Sequence, residues 1–283
     1  MPAENHTVNP SFNITAPDTD ASRHLLVFVA KQGLSFVVFN KELQQFTGVS
    51  VYHFSSTWPA QAAENAILQI LNEESFVQQV FSKTDIIWCT EQSIITPQSF
   101  FSRDNCSEML QLVYGDAGNW KVQSELLIGH NAYNVYRVDQ MTATIFTSKF
   151  KTAVQTHQSS LLVNMAAGKE DILYCIFYPG AVTVLLRKNN QLQLVKDFEF
   201  NSPQDAAYHL LNVCQRFGMD AAETTVTAAG MIDESSNLYK EVYKYFSGIT
   251  FTELPDGFTY TEEIKTYPAH YFSHLFATAA CVL

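Results

Sequence analysis

His270 and His274 stand four residues apart in "PAHYFSHLF". On a helix that spacing puts both rings on one face, as zinc ligands can be. The residue after the first His is Tyr271, not a Glu base, and no third ligand is evident, so both rings read as structural. "AAGKED", 166–171, is like the end of a phosphate-binding loop. It has Glu170 where Ser or Thr is needed and Val163 where the first Gly belongs, and reads as a polar turn entering a strand at 171–177. Ser159 and Ser160 lie near His157, but no Asp completes a triad, and they read as polar helix positions. Asp205 has no partner for acid catalysis; in the first turn of a helix it offsets the helix dipole. Tyr208, Tyr239, Tyr243 and Tyr245 read as core or surface aromatics. Cys89, Cys106, Cys175, Cys214 and Cys281 form no CxxC pair and read as buried free thiols of a reducing compartment.

The elements that must position these residues repeat. "HLLVFVAKQG", "LSFVVFNKE" and "FTGVSVYHF" predict three antiparallel strands in a meander. "WPAQAAENAILQILNEE" predicts a helix with Pro59 in its first turn and an apolar stripe through Ala63, Ala66, Ile67, Ile70 and Leu71. "TDIIWCTE" predicts a strand buried on both faces. The order then returns: "DILYCIFYPG", "AVTVLLRKN" and "LQLVKDFEF" as strands, "SPQDAAYHLLNVCQRFG" as a helix capped by Ser202 and ending near Gly218, and "TTVTAAGMI" as a strand. Gly33 and Gly180 are 147 residues apart, Phe54 and Phe200 146, Pro59 and Pro203 144. An ordered series at a domain-sized period predicts a duplicated domain.

The 283 residues are 47% apolar, with 21 Phe and 13 Tyr, enough to bury a large core. A net charge of −11 disfavours nucleic acid and anionic membrane surfaces as partners. No apolar run is long enough to predict a membrane span, and "MPAENHTVNPSFNITAPDTDAS" has neither the basic nor the apolar region of a signal peptide. The expectation is a cytoplasmic protein whose sequons at Asn5, Asn13 and Asn105 are chance matches. Residues 1–22 predict a disordered tail, 23–148 a first domain and 149–283 a second. The closing "YPAHYFSHLFATAACVL" predicts an apolar helix, either packed into the body or exposed for a partner or membrane.

Two copies of this strand–strand–strand–helix–strand pattern resemble the actin-like ATPase superfamily. "FEFNSPQDAAYHLL", "GMIDESSNLYKEVYKYF" and the closing segment resemble a narrower bacterial family, domain of unknown function 3822. The resemblance implies an α/β fold of duplicated ribonuclease-H-like domains with mixed sheets and a central cleft. It implies no activity. Actin-like ATPases hold phosphates with two hairpins, each with an Asp close to a Gly, the Asp coordinating Mg²⁺ and the turn N–H groups facing phosphate oxygens. Here the turns read Lys31-Gln32-Gly33 and Tyr178-Pro179-Gly180, without an acid, and Pro179 lacks an N–H. The segment that would approach adenosine reads Ala228-Ala229-Gly230.

These readings predict a non-catalytic actin-like module with a degenerate nucleotide site and no cofactor or metal, which binds an unidentified protein and can self-associate. The alternative is an ATP-binding protein or sugar-kinase-like phosphotransferase with a diverged phosphate site. It would use ATP with Mg at Lys31, Gln32, Gly33, Tyr178, Gly180, Ala229 and Gly230.

Overall fold

The computed structural model describes residues 8–15, 22–55, 57–116, 118–166 and 170–283, which form two units. The first contains β1 (Phe12–Thr15), β2 (Arg23–Ala30), β3 (Gly33–Asn40), β4 (Gln45–His53), α1 (Ala60–Glu73) and β5 (Lys83–Cys89). It continues with β6 (Ser93–Pro97), α2 (Cys106–Tyr114), β7 (Trp120–Leu127), β8 (Ala132–Asp139), α3 (Gln140–Lys149), β9 (Val154–His157) and the start of α4 (Gln158–Ala166). The second contains β10 (Ile172–Tyr178), β11 (Ala181–Lys188), β12 (Gln191–Glu199), α5 (Pro203–Arg216), β13 (Thr225–Gly230), α6 (Asn237–Tyr243) and β14 (Gly248–Phe251). Beyond these come β15 (Thr259–Tyr260), α7 (Glu262–Lys265) and α8 (His270–Ala280).

The duplication is visible strand by strand. The first sheet runs β1-β4-β3-β2-β5-β9 and the second β12-β11-β10-β13-β14. In each, a three-strand antiparallel meander is followed by a parallel neighbour of its first strand, β5 on β2 and β13 on β10. A further parallel strand extends each sheet, β9 on β5 and β14 on β13. The middle stretches of β2 and β10 are apolar because both faces are covered. Along β10, Leu173, Cys175 and Phe177 pack with Leu210, Val213 and Cys214 of α5, while Tyr174 and Ile176 pack with Leu162 and Ala166 of α4. Both meander helices turn an apolar stripe to their sheet, Ile67, Ile70 and Leu71 in α1 and the three α5 residues just named.

Three features differ from the sequence expectation. In the predicted tail, Phe12–Thr15 pairs antiparallel with β4 and buries Ile14; residues 1–7 and 16–21 lie outside the described residues. A three-stranded sheet, β6-β8-β7, is inserted between β5 and β9, with its own small core of Cys106, Leu110 and Val135. The division between units falls between Ser160 and Leu161, not at 148/149, because β9 completes the first sheet. Phe258–Ile264 also belongs to the first unit, with β15 pairing β4 beside β1.

Candidate functional site

The second predicted phosphate turn closes β10 onto β11, with Tyr178 opposite Ala181 and Pro179-Gly180 between them. Gly180 has φ 79°, and Pro before a left-handed Gly is the pattern of a type II turn. Gly230 ends β13 beside Phe177, so the structure brings Tyr178, Gly180, Ala229 and Gly230 to one end of one sheet. The two side chains among them, of Ala229 and Tyr178, pack within the unit. Ala229 is buried against Leu162, Tyr174 and Leu185. Tyr178 meets the ring of His274 edge-on at 5.6 Å. Gly230 has φ 83°, and a Cβ there would come within 2.2 Å of the Phe177 carbonyl oxygen, so the tight exit from β13 requires glycine.

The first turn, Lys31-Gln32, lies in the other unit. Ala30 pairs with Gly33, so Gly33 is equivalent to Ala181 and Gln32 to Gly180. The equivalence is reinforced by matching hydrogen bonds, Phe54 N–H to Gln32 O and Phe200 N–H to Gly180 O, both 2.8 Å. The sequence match of Gly33 with Gly180 is therefore one residue out of register. Gly33 also has a packing reason: its Cβ would lie 2.2 Å from the Tyr52 carbonyl oxygen on β4. An acid that the turn sequence did not reveal stands beside it. Glu91 Oε1 accepts from Lys31 Nζ at 3.2 Å, so the two charges offset each other.

The other sequence candidates separate. His270 Nε2–H donates to the Ile232 carbonyl at 2.7 Å, while His274 Nδ1 is buried without a hydrogen-bond partner. Burial holds the His274 pKa down at about 3. His157 accepts the Ser159 N–H at Nδ1, 3.1 Å, and donates from Nε2 to Thr90 O, 3.0 Å. It thus caps the first turn of α4 as a neutral ring, its pKa lowered by burial to about 4. Ser160 Oγ accepts from Asn134 Nδ2 at 3.0 Å. Asp205 completes a capping box with Ser202, and the backbone N–H groups of Asn201 and Ser202 hold its pKa low, with the Ser202 hydroxyl. Within "AAGKED", 167–169 lie outside the described residues. Cys106, Cys175 and Cys214 are buried thiols, but Cys281 is exposed. Among the described residues no group of three or more His, Cys, Asp or Glu could hold a metal ion, and no helix is long and apolar enough to cross a membrane.

Two five-stranded sheet cores of the same topology, each with a helix after its meander, define a protein of the actin-like ATPase fold. The chain belongs to the family described as protein of unknown function DUF3822, which it matches over residues 13–249. A Bacteroides thetaiotaomicron protein with actin-like ATPase fold and unknown function is similar in structure. Its TM-score is 0.69 at 16% identity, over 82% of this chain and 91% of that one. The PilM–PilN type IV pilus biogenesis complex aligns with TM-score 0.56 at 8% identity, over 94% of this chain and all of the matched one. At these identities the likeness is one of fold. No curated protein matches the sequence.

Proposed function

We propose that this chain is a non-catalytic actin-like module of the bacterial cytoplasm that acts by binding another protein. The observation that carries this reading is the use of the two equivalent turns. Neither contains an acid, Glu91 beside the first is paired with Lys31, and Gly33 and Gly230 are accounted for by close backbone approach. Phosphoryl transfer depends on metal-assisted neutralisation of phosphate charge, and turns without carboxylates supply little of it. The fold's presence in a PilM–PilN complex supports a protein-binding role by analogy of fold.

The test is a thermal-shift scan with Mg-ATP, Mg-ADP and a sugar panel. A ligand at about 100 times its dissociation constant adds about 2.7 kcal/mol to the folded state. The expected result is no shift with any of them. A clear rise in melting temperature with a nucleotide overturns the reading in favour of the ATP-binding or sugar-kinase-like alternative.

A further inference from the structure

Arg137 on β8 is 2% exposed, and a guanidinium is always charged. Arginine is rarely buried to that extent without an acid beside it. Elsewhere in the molecule the rule holds. Buried Asp85 meets His24 at 2.6 Å and Lys83 at 2.9 Å, and buried Glu241 meets Lys244 at 2.7 Å. Among the described residues no carboxylate pairs with Arg137. Its Nε–H donates to Gln92 Oε1, and Nη2 donates to the Tyr114 carbonyl at 3.4 Å. The Trp120 ring covers one face of the guanidinium, 4.5 Å from Cζ to the ring centre. All three partners are neutral groups. The Tyr114 carbonyl closes α2, and a helix end contributes about half a negative charge at most. The hydrogens of Nη1 have no acceptor in the protein, yet Nη1 is not sealed from the exterior.

The acids closest in sequence and register are engaged elsewhere. Asp139, two residues along the same face of β8, accepts from the Thr142 N–H at 2.8 Å. Glu91, next to Gln92, is paired with Lys31. Asp116 accepts from Gln111 at 2.8 Å. Glu125 accepts from the Tyr136 and Thr156 hydroxyls at 2.7 and 3.0 Å, on the other face of the sheet. The surroundings of Arg137 are near the surface: Gln92, Tyr114 and Trp120 are half-buried, and Gly115 is exposed with open space where a Cβ would stand. Because Arg137 Nε–H can only donate, the Gln92 amide must turn its oxygen to it. The Gln92 Nε2 hydrogens are then further donors beside the cation. A charged donor group with no acid of its own calls for an anion.

We propose that Arg137 Nη1, with Gln92 beside it, is a binding site for one carboxylate group, carried by a free small acid or by an acidic side chain of a peptide. A carboxylate is planar, matches the guanidinium edge and supplies the single missing charge. A phosphate dianion would bring excess charge to a chain of net charge −11. The site lies in the inserted sheet, apart from both predicted phosphate turns in sequence, and stands independently of the protein-binding reading above.

The experiment titrates the full chain with sodium formate, acetate or phosphate at an ionic strength held constant with sodium chloride. It follows the Arg137 Nε–H resonance and the amide shifts of residues 92, 114, 115 and 137. Formate and acetate are expected to give saturable shifts there, phosphate weaker ones and chloride none. Acetyl-Gly-Glu-Gly-amide and its Gln counterpart separate the sources. Saturation of the same resonances by the Glu peptide alone of the pair supports the site and puts a peptide side chain within its reach. Saturation by the free acids only supports it and restricts it to small acids. Arg137→Lys should weaken formate at least about tenfold, and Arg137→Met should abolish the saturable shifts. If Arg137→Met does not fold, the Arg137 Nε–H resonance of the parent still decides. No saturable response to formate or acetate, an equal response to chloride, tighter binding of phosphate than of formate, or an unchanged response in a folded Arg137→Met would each overturn the proposal.

Discussion

At the residue scale two of the buried histidines, His157 and His274, carry a signed pH dependence. His157 and His274 are neutral in the fold, with pKa values held down by burial at about 4 and about 3. In the unfolded chain they titrate near 6.5. Because the fold favours the unprotonated ring, their contribution is fully present above about pH 6.5. It is lost as pH falls toward the folded values, by roughly 3 kcal/mol or more per ring. His274→Phe removes a buried nitrogen that has no partner and keeps a ring against Tyr178. The variant should melt at or above the parent at pH 7 and lose less stability between pH 6.5 and 4. Parallel pH profiles for variant and parent would contradict this. Gly33→Ala tests the packing account of the first turn. A methyl 2.2 Å from the Tyr52 carbonyl must push β4 away, so the melting temperature should fall clearly even with no ligand present.

At the element scale, α8 and β1 decide two questions that composition leaves open. Phe272 and Phe276 are fully buried, so the closing helix belongs to the core of its unit and is not an exposed surface for a membrane or partner. Phe272→Ala and Phe276→Ala should each cost about 3–5 kcal/mol in denaturant unfolding. Stopping the chain after Thr266 should abolish soluble expression. β1 shields the upper part of the β4 edge through the register Phe12–Val51 to Thr15–Gly48. Deleting residues 1–15 exposes that edge and forfeits Ile14, a loss of about 1.5–3 kcal/mol. The melting temperature should drop accordingly, and an unchanged value would show that β1 contributes nothing.

At the scale of the whole molecule, the chain crosses between units within α4 and returns after Gly257. The returning segment acts as a strap. Phe258 meets Phe39 at 5.6 Å and Phe46 at 5.3 Å, and Tyr260 stacks on Phe46 at 5.4 Å. Tyr260 is buried, and β15 covers Gln45 and Phe46 at the start of β4, ahead of the stretch that β1 pairs. The first unit is therefore completed by residues encoded near the end of the chain. Tyr260→Ala should cost about 3–5 kcal/mol. By calorimetry, Tyr260→Ala with Phe258→Ala should lower or split the melting transition. A single transition at the parental temperature would show that the strap is dispensable.

The repeated core was legible because its signals are local. Alternating Val, Phe and Leu set the strands, short polar turns set the meanders, and Pro203 with Ser202 and Asp205 set a capped helix. A period of about 146 residues then required two similar domains. The absence of an acid at Lys31-Gln32 and Pro179-Gly180 was legible for the same reason. What the tertiary structure alone decided depends on residues far apart in sequence. Glu91 reaches Lys31 across 60 residues, and Thr259 reaches Gln44 across 215. β1 has few apolar residues and becomes a strand because β4 offers an unpaired edge. Gly33 looked like a turn residue, but the approach of Tyr52 sets its identity, and that approach exists only once β3 and β4 pair in register.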